Sequence, residues 1–111
     1  MNKVLLIGQL TKDPEPYHVG RKLFCTLRLK VMRSPSIKGS IFDPDSDDIP
    51  IVFWDKNAEI VKNHCTKGSL LRIAGHIQIY HYYRRNKRYW IPEVVAEHVV
   101  LMRSTNTKNI E

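Results

Sequence analysis

An all-β domain carrying one short helix is what this sequence predicts, and three observations predict it. Leu23 to Val31 alternates cleanly, with Cys25, Leu27, Leu29 and Val31 on one face and Thr26, Arg28 and Lys30 on the other. Every other apolar run is cut short by glycine or proline, at Gly8, Pro14, Pro16, Pro50, Gly75 and Pro92. A helical stripe occurs once, where Ala58, Val61 and Cys65 fall at i, i+3 and i+7.

The elements follow in order. Lys3 to Leu10 reads as a first strand, with a bulge or close backbone approach at Gly8. Pro14 and Pro16 break it, and His18-Val19-Gly20-Arg21-Lys22 reads as a turn. The second strand is Leu23 to Val31, half-buried, with Arg28 and Lys30 on its outer face for phosphate or for water. Arg33 to Asp48 reads as one long loop, basic at its root (Arg33, Lys38) and acidic at its end (Asp43, Asp45, Asp47, Asp48). Ile49 to Trp54 forms the third strand, with Pro50 placing its start at an edge. Asp55 is a suitable N-cap for a helix from Lys56 to Cys65, and Gly68 can take the left-handed conformation beyond it. Ser69 to Tyr83 is a long strand interrupted at Gly75, with Leu71, Ile73, Ile77 and Ile79 sharing one face. Arg72, His76, Gln78, Tyr80 and Tyr82 share the other. Arg84 to Arg88 connects it to a last strand from Tyr89 to Met102, with Pro92 at an edge or bulge. Residues 1–102 form the domain, and Arg103 to Glu111 reads as a short disordered polar tail. Three strands, a helix and two strands describe an OB-fold, a five-stranded Greek-key barrel that binds ligands on the face of its second and third strands and with its 1–2 and 4–5 loops.

Composition bounds the function. The 111 residues suit one domain, 42% apolar and 26% charged, with a formal charge of +7 that favours a polyanionic partner. No apolar run is long enough to span a membrane, and Val4 to Ile7 is too short for a signal peptide, so a cytoplasmic protein is expected. Cys25 and Cys65 read as small buried apolar residues, and the five histidines have no ligand-like spacing to them. No metal, no cofactor and no catalytic constellation is expected, and the chain reads as a non-enzyme.

Gln78 to Trp90 is the stretch with chemistry in it. Five of the ten aromatics lie between Tyr80 and Trp90, four Arg/Lys sit among them, and no acid occurs from Ile60 to Pro92. Flat rings interleaved with cations suit a nucleic acid with unpaired bases. A β-hairpin with ordinary cross-strand aromatic pairs and a solvated basic tip has the same composition.

Asn2-Lys3-Val4-Leu5-Leu6-Ile7-Gly8-Gln9-Leu10-Thr11-Lys12-Asp13-Pro14-Glu15 closely resembles the opening of bacterial single-stranded DNA-binding proteins. The resemblance continues through Trp54-Asp55-Lys56-Asn57-Ala58-Glu59, Lys67-Gly68-Ser69-Leu70, Gly75-His76-Ile77 and Glu93-Val94-Val95-Ala96. It implies an OB-fold that binds single-stranded DNA without strong sequence preference in replication, recombination or repair. It also implies a homo-oligomer, with a tetramer favoured and a dimer the alternative, and replication or recombination proteins as partners. Trp54 and Tyr82 fall at base-stacking positions of that family, and Lys56 and Lys67 at basic positions near its DNA path. A further stacking position of some members falls near Pro35, where no Trp stands. Tyr80, Tyr89 and Trp90 are weaker stacking candidates, with core or subunit interface favoured for Trp90. Arg84, Arg85, Lys87 and Arg88 would draw in the backbone, with Arg28, Lys30, Arg33 and Arg72 as further basic candidates. Housekeeping members carry a long linker with an acidic tip, and this sequence resembles a short form without one. Asp45-Ser46-Asp47-Asp48-Ile49-Pro50 has a tip-like composition at the entrance to a strand. Two other readings remain: a dimeric replication accessory protein similar to primosomal protein N, and an OB module whose basic hairpin meets an acidic protein.

Overall fold

The computed structural model describes residues 1–34 and 45–104. The expected features at Pro35, Lys38 and Asp43, and the tail beyond Ser104, lie outside those residues. The strands are β1 (Val4–Leu10), β2 (Tyr17–Val19), β3 (Lys22–Met32), β4 (Ser46–Trp54), β5 (Leu70–Arg84) and β6 (Lys87–Arg103), with α1 (Asp55–His64) between β4 and β5. Five of them close a ring in the order β1–β5–β6–β4–β3, and β1 returns to β3 to complete it. All pairings in the ring are antiparallel except β4 with β6, where Ile51 and Val52 run parallel to Val94 and Val95. This is the expected OB-fold.

Ring closure depends on two glycines. β1 pairs with β5 along Val4 to Gln9, then passes to β3 at Gln9 and Leu10. A Cβ on Gly8 would collide with the Lys30 carbonyl oxygen, so only glycine lets the two backbones approach there. At Gly75 a Cβ would collide with the Val95 carbonyl oxygen. The β5–β6 register shifts at the same place, from Ala74↔His98 to Gly75↔Ala96, leaving Glu97 as the extra residue of a bulge. Asn57 on α1 donates to the carbonyls of Ala96 and Glu97 at 3.1 and 3.2 Å, pinning that bulge to the helix.

The core lies inside the ring, around Leu27, Leu29, Ile51, Phe53, Leu71 and Ile73, with Ala58 and Val61 of α1 closing one end. Each such large side chain taken fully from water contributes roughly 1.5–3 kcal/mol. Cys25 and Cys65 are buried as free thiols in this cluster. Burial pushes the Cys65 thiol up to about 11 and raises Cys25 as well.

Several expectations need correction. Tyr17–Val19 is a sixth strand, paired with Lys22 to Phe24 around a turn in which Gly20 has φ +63°. The expected turn from His18 to Lys22 thus shrinks to Gly20 and Arg21. β4 begins at Ser46, so Asp47 and Asp48 are strand residues opposite Val31 and Lys30 rather than loop. The N-cap of α1 is Trp54, without a side-chain cap bond. Asp55 takes φ +48°, which Asp tolerates better than most residues, and its carboxylate accepts the Leu23 N–H at 3.0 Å. The helix ends at His64, and Gly68 does take a positive φ of 90° in the following turn. The face shared by Leu71, Ile73, Ile77 and Ile79 is buried only in its first half: Ile77 and Ile79 stay 47% and 43% exposed, because the β5–β6 hairpin runs on past the barrel. The Asn2 side chain pairs with both backbone groups of Ile77, at 2.7 and 2.9 Å, and so prolongs the β1–β5 edge.

Candidate nucleic-acid interface

The hairpin that projects from the barrel is closed by a two-residue turn. Arg85 and Asn86 have φ of 52° and 63°, the paired positive values of a type I′ turn, and Arg84 pairs with Lys87 across it. Strand alternation then sorts the side chains onto two sides. Tyr80, Tyr82 and Tyr89 share one side and stack in sequence, with centroids 5.8 and 5.4 Å apart and planes within 23° and 17°. His81, paired with Trp90, lies on the other side.

A second aromatic group rises from the outer face of β3 and β4. Phe24 and Trp54 are register partners with ring centroids 4.4 Å apart, and Tyr17 of β2 meets Phe24 edge-on at 5.5 Å. The Lys22 ammonium lies 5.8 Å from the centre of the Trp54 ring, within cation–π range. Between the two groups is a hollow of about 310 Å³, lined by Tyr17, Phe24, Thr26, Arg28, Pro50, Tyr80, Ile91 and Glu93. The outer faces of the hairpin and of β3 and β4 therefore meet at this hollow, with Tyr80 on one side of it and Tyr17 and Phe24 on the other.

The basic candidates are dispersed over the surface. Arg28 lines the hollow, while Arg84, Arg85, Lys87 and Arg88 sit at the exposed hairpin tip. Lys56 lies at the start of α1 beside His18, Arg21 and Glu59, next to Trp54. Lys30 is exposed on β3 opposite Asp48. Arg33 makes two 2.8 Å hydrogen bonds to Asp47, and these hold the Asp47 carboxyl below its ordinary value. Lys67 is exposed in the turn after α1, where its N–H donates to Asp13 at 2.7 Å. Arg72 is not in the hollow. It lines a different one, with Leu5, Ala74, His98 and Val100, on the outer face of β1, β5 and β6.

Trp90 is 62% exposed, which removes the core reading expected for it within this chain. It lines an open hollow on the far side of the hairpin with Ile79, His81 and Arg88, and Arg88 donates to His81 Nδ1 at 3.2 Å. Sequence reasoning passed over Tyr17, Phe24, Lys22 and Glu93. Phe24 carried a usable signal, since it has the same strand parity as Thr26 and Arg28. Tyr17, next to Pro16 and in a three-residue strand, carried none.

The profile of the single-strand binding protein family matches residues 1–102. The chain belongs to that family. Among single-strand binding relatives, it is 39% identical to single-stranded DNA-binding protein 2 of Clostridium acetobutylicum, over 100% of this chain and 84% of the relative. It is 38% identical to the single-stranded DNA-binding protein of Clostridium tetani, over 98% of this chain and 75% of the relative. The corresponding figures for the protein of that name from Enterococcus faecalis are 36%, 94% and 55%. Among the described residues no group of His, Cys, Asp and Glu could hold a metal ion, and no helix is long and apolar enough to cross a membrane.

Proposed function

We propose that this chain binds single-stranded DNA, largely without sequence preference, in the cleft between the Tyr80–Tyr82–Tyr89 stack and the Trp54–Phe24–Tyr17 group. The observation that carries the reading is the cleft itself: a hollow with Arg28 in its wall is flanked by Tyr80, the first ring of one aromatic stack, and by Tyr17 and Phe24, which lead to Trp54. Base faces stack on rings whatever the base, which gives sequence tolerance, and each stack contributes about 1–3 kcal/mol. The tip cations and Lys56 then hold phosphates, so binding weakens as salt rises. A duplex hides its base faces and gains only the electrostatic part. No bond is made or broken, and the protein acts as a binding module in replication, recombination or repair.

The assembly belongs to the same reading. The unpaired edge of β1 and the exposed Leu5, Ile7, Val100 and Met102 on the outer face of β1, β5 and β6 suit contact with further copies. A homotetramer is favoured over a dimer, in the cytoplasm, with replication or recombination proteins as partners. The test is a fluorescence anisotropy titration of a labelled dT oligomer, competed with duplex DNA at two salt concentrations, with light scattering on the same samples. Displacement by unlabelled single strand but not by duplex supports the reading. Equal displacement by both would leave only a basic surface, and no binding would point to an acidic protein partner.

A further inference from the structure

Lys22 sits over the ring on which a base would stack. It opens β3 opposite Val19, just after the turn at Gly20 and Arg21, and shares the outer face of that strand with Phe24, Thr26 and Arg28. The next residue, Leu23, donates its backbone N–H to the Asp55 carboxylate at 3.0 Å, which fixes the start of β3 against the start of α1. The Lys22 ammonium then lies over the Trp54 ring, 5.8 Å from its centre, while Phe24 packs on the same ring with centroids 4.4 Å apart. Among the described residues this ammonium has no hydrogen-bond or ion-pair partner, and Asp55 is engaged with Leu23 instead. A cation without an acid is thus parked on a half-buried tryptophan.

That position is easily given up. The face of an indole attracts a cation, but the attraction is weak at an exposed site, and 5.8 Å is near its outer limit. A base stacked on that face takes the space beside the ammonium, and stacking is the stronger of the two contacts. The displaced ammonium stays tethered by its flexible four-carbon stem. The anion that arrives within its reach is the phosphate of the base that displaced it.

We infer that Lys22 exchanges partners on binding: in the free chain its ammonium covers the Trp54 ring, and in the complex a base takes the ring while the ammonium takes the adjoining phosphate. The inference rests on the single-stranded DNA reading above, and adds to it a strand-contacting residue and a reason for its placement. The exchange has two opposed parts. Leaving the ring lowers affinity at every salt concentration, because the contact is short-range. Neutralising a phosphate raises affinity most at low salt, because it releases counterions.

The experiment uses the full chain and a labelled dT oligomer, with anisotropy titrations over a range of salt concentrations. Lys22→Met keeps the length of the stem and removes the charge. Its log–log slope should be flatter by about 0.7, the value for one phosphate of a single strand, which makes it about fivefold weaker than wild type at about 0.1 M salt. Extrapolated to about 1 M, the two lines should meet or cross, because the variant has no ammonium to move off the ring. Lys22→Arg keeps the charge and should keep the wild-type slope. An unchanged slope in Lys22→Met would overturn the inference. With wild-type affinity it would mean a merely solvated lysine, and with uniformly lower affinity a lysine that only supports Trp54. A flatter slope whose line stays well below wild type at about 1 M would overturn the exchange of partners. Failure of the wild-type chain to bind dT would instead sink the reading on which the inference rests.

Discussion

Tyr82→Ala removes the middle ring of the three-tyrosine stack, and its consequences for stability and for binding separate cleanly. The ring touches Tyr80 and Tyr89, with centroids at 5.8 and 5.4 Å. Aromatic pairs of this kind contribute about 0.5–1.5 kcal/mol each when well packed. Here both neighbours are exposed, so the low end applies. The loss is also local. No residue of β5 beyond Gly75 is buried, and the core around Phe53, Leu71 and Ile73 lies below the hairpin. Global stability should therefore change by less than about 1 kcal/mol, which in a domain near this size is a melting shift of no more than roughly 4–8 °C. Binding should suffer more. One base stack fewer, at about 1–3 kcal/mol, weakens affinity roughly 5- to 150-fold. The side chain carries no charge, so the slope of log affinity against log salt should not move. Tyr82→Phe keeps the ring and should bind within about twofold of the parent. The assay is anisotropy with a dT oligomer at two salt concentrations, beside a thermal melt of the free protein. Unchanged affinity in the alanine variant would refute the stacking role. A melting loss well beyond the stated range would show that the hairpin supports the barrel after all.

Other outcomes follow from the same geometry. Replacing Arg84 and Arg85 by Ala together should flatten the log–log salt slope by about 1.4, at roughly 0.7 for each phosphate no longer neutralised, and weaken all sequences alike; an unaltered slope would mean that the tip is only solvated. Gly75→Ala forces a methyl group into the Val95 carbonyl and should cost about 3 kcal/mol or more by denaturant titration, whereas a neutral result would contradict the bulge geometry. Asp47 is held below its ordinary value by Arg33, so the pair's contribution is present above the unfolded carboxyl value of 3.8 and lost as pH falls through the lower folded one. Asp47→Asn should thus lower stability near pH 7 slightly and reduce its fall below pH 4 by the same small amount, as followed by denaturant titrations across that range. Cys25 and Cys65, buried and raised, should resist a thiol reagent at pH 8 until the chain unfolds; rapid labelling of either in the native protein would contradict their placement.

Much of the barrel was legible in the sequence, because strand periodicity and backbone punctuation are local signals. The alternation at Cys25, Leu27 and Leu29 named the buried face of β3. Gly8 marked a close approach, Gly75 an interruption of its strand, and Arg84 to Arg88 the hairpin connection. The failures have physical causes of a different kind. Ile77 and Ile79 were assigned to the right side of the strand, but periodicity says which way a side chain points and not whether anything covers it. Asp55 has the chemistry of an N-cap; a competing donor, the Leu23 N–H, is 32 residues distant and invisible locally. Tyr17–Val19 is too short for a pattern and exists because the turn at Gly20 folds it onto β3. For the candidate site, Tyr80, Tyr82, Tyr89 and Trp54 were singled out from composition and family likeness. The hollow between the hairpin and the β3–β4 face was not, because it depends on how distant strands meet in the closed ring. The same closure brings Phe24 and Glu93 to that hollow and leaves Trp90 outside it.

That separation of the two tryptophans allows the most direct test. Trp90→Phe leaves Trp54 as the single tryptophan, packed on Phe24 of the cleft wall, and Trp54→Phe leaves Trp90 on the far side of the hairpin. On titration with a dT oligomer, bases entering the cleft should strongly quench the first variant and barely change the second. Strong quenching of Trp90 with Trp54 unaffected would place the strand on the opposite side of the hairpin and contradict the account.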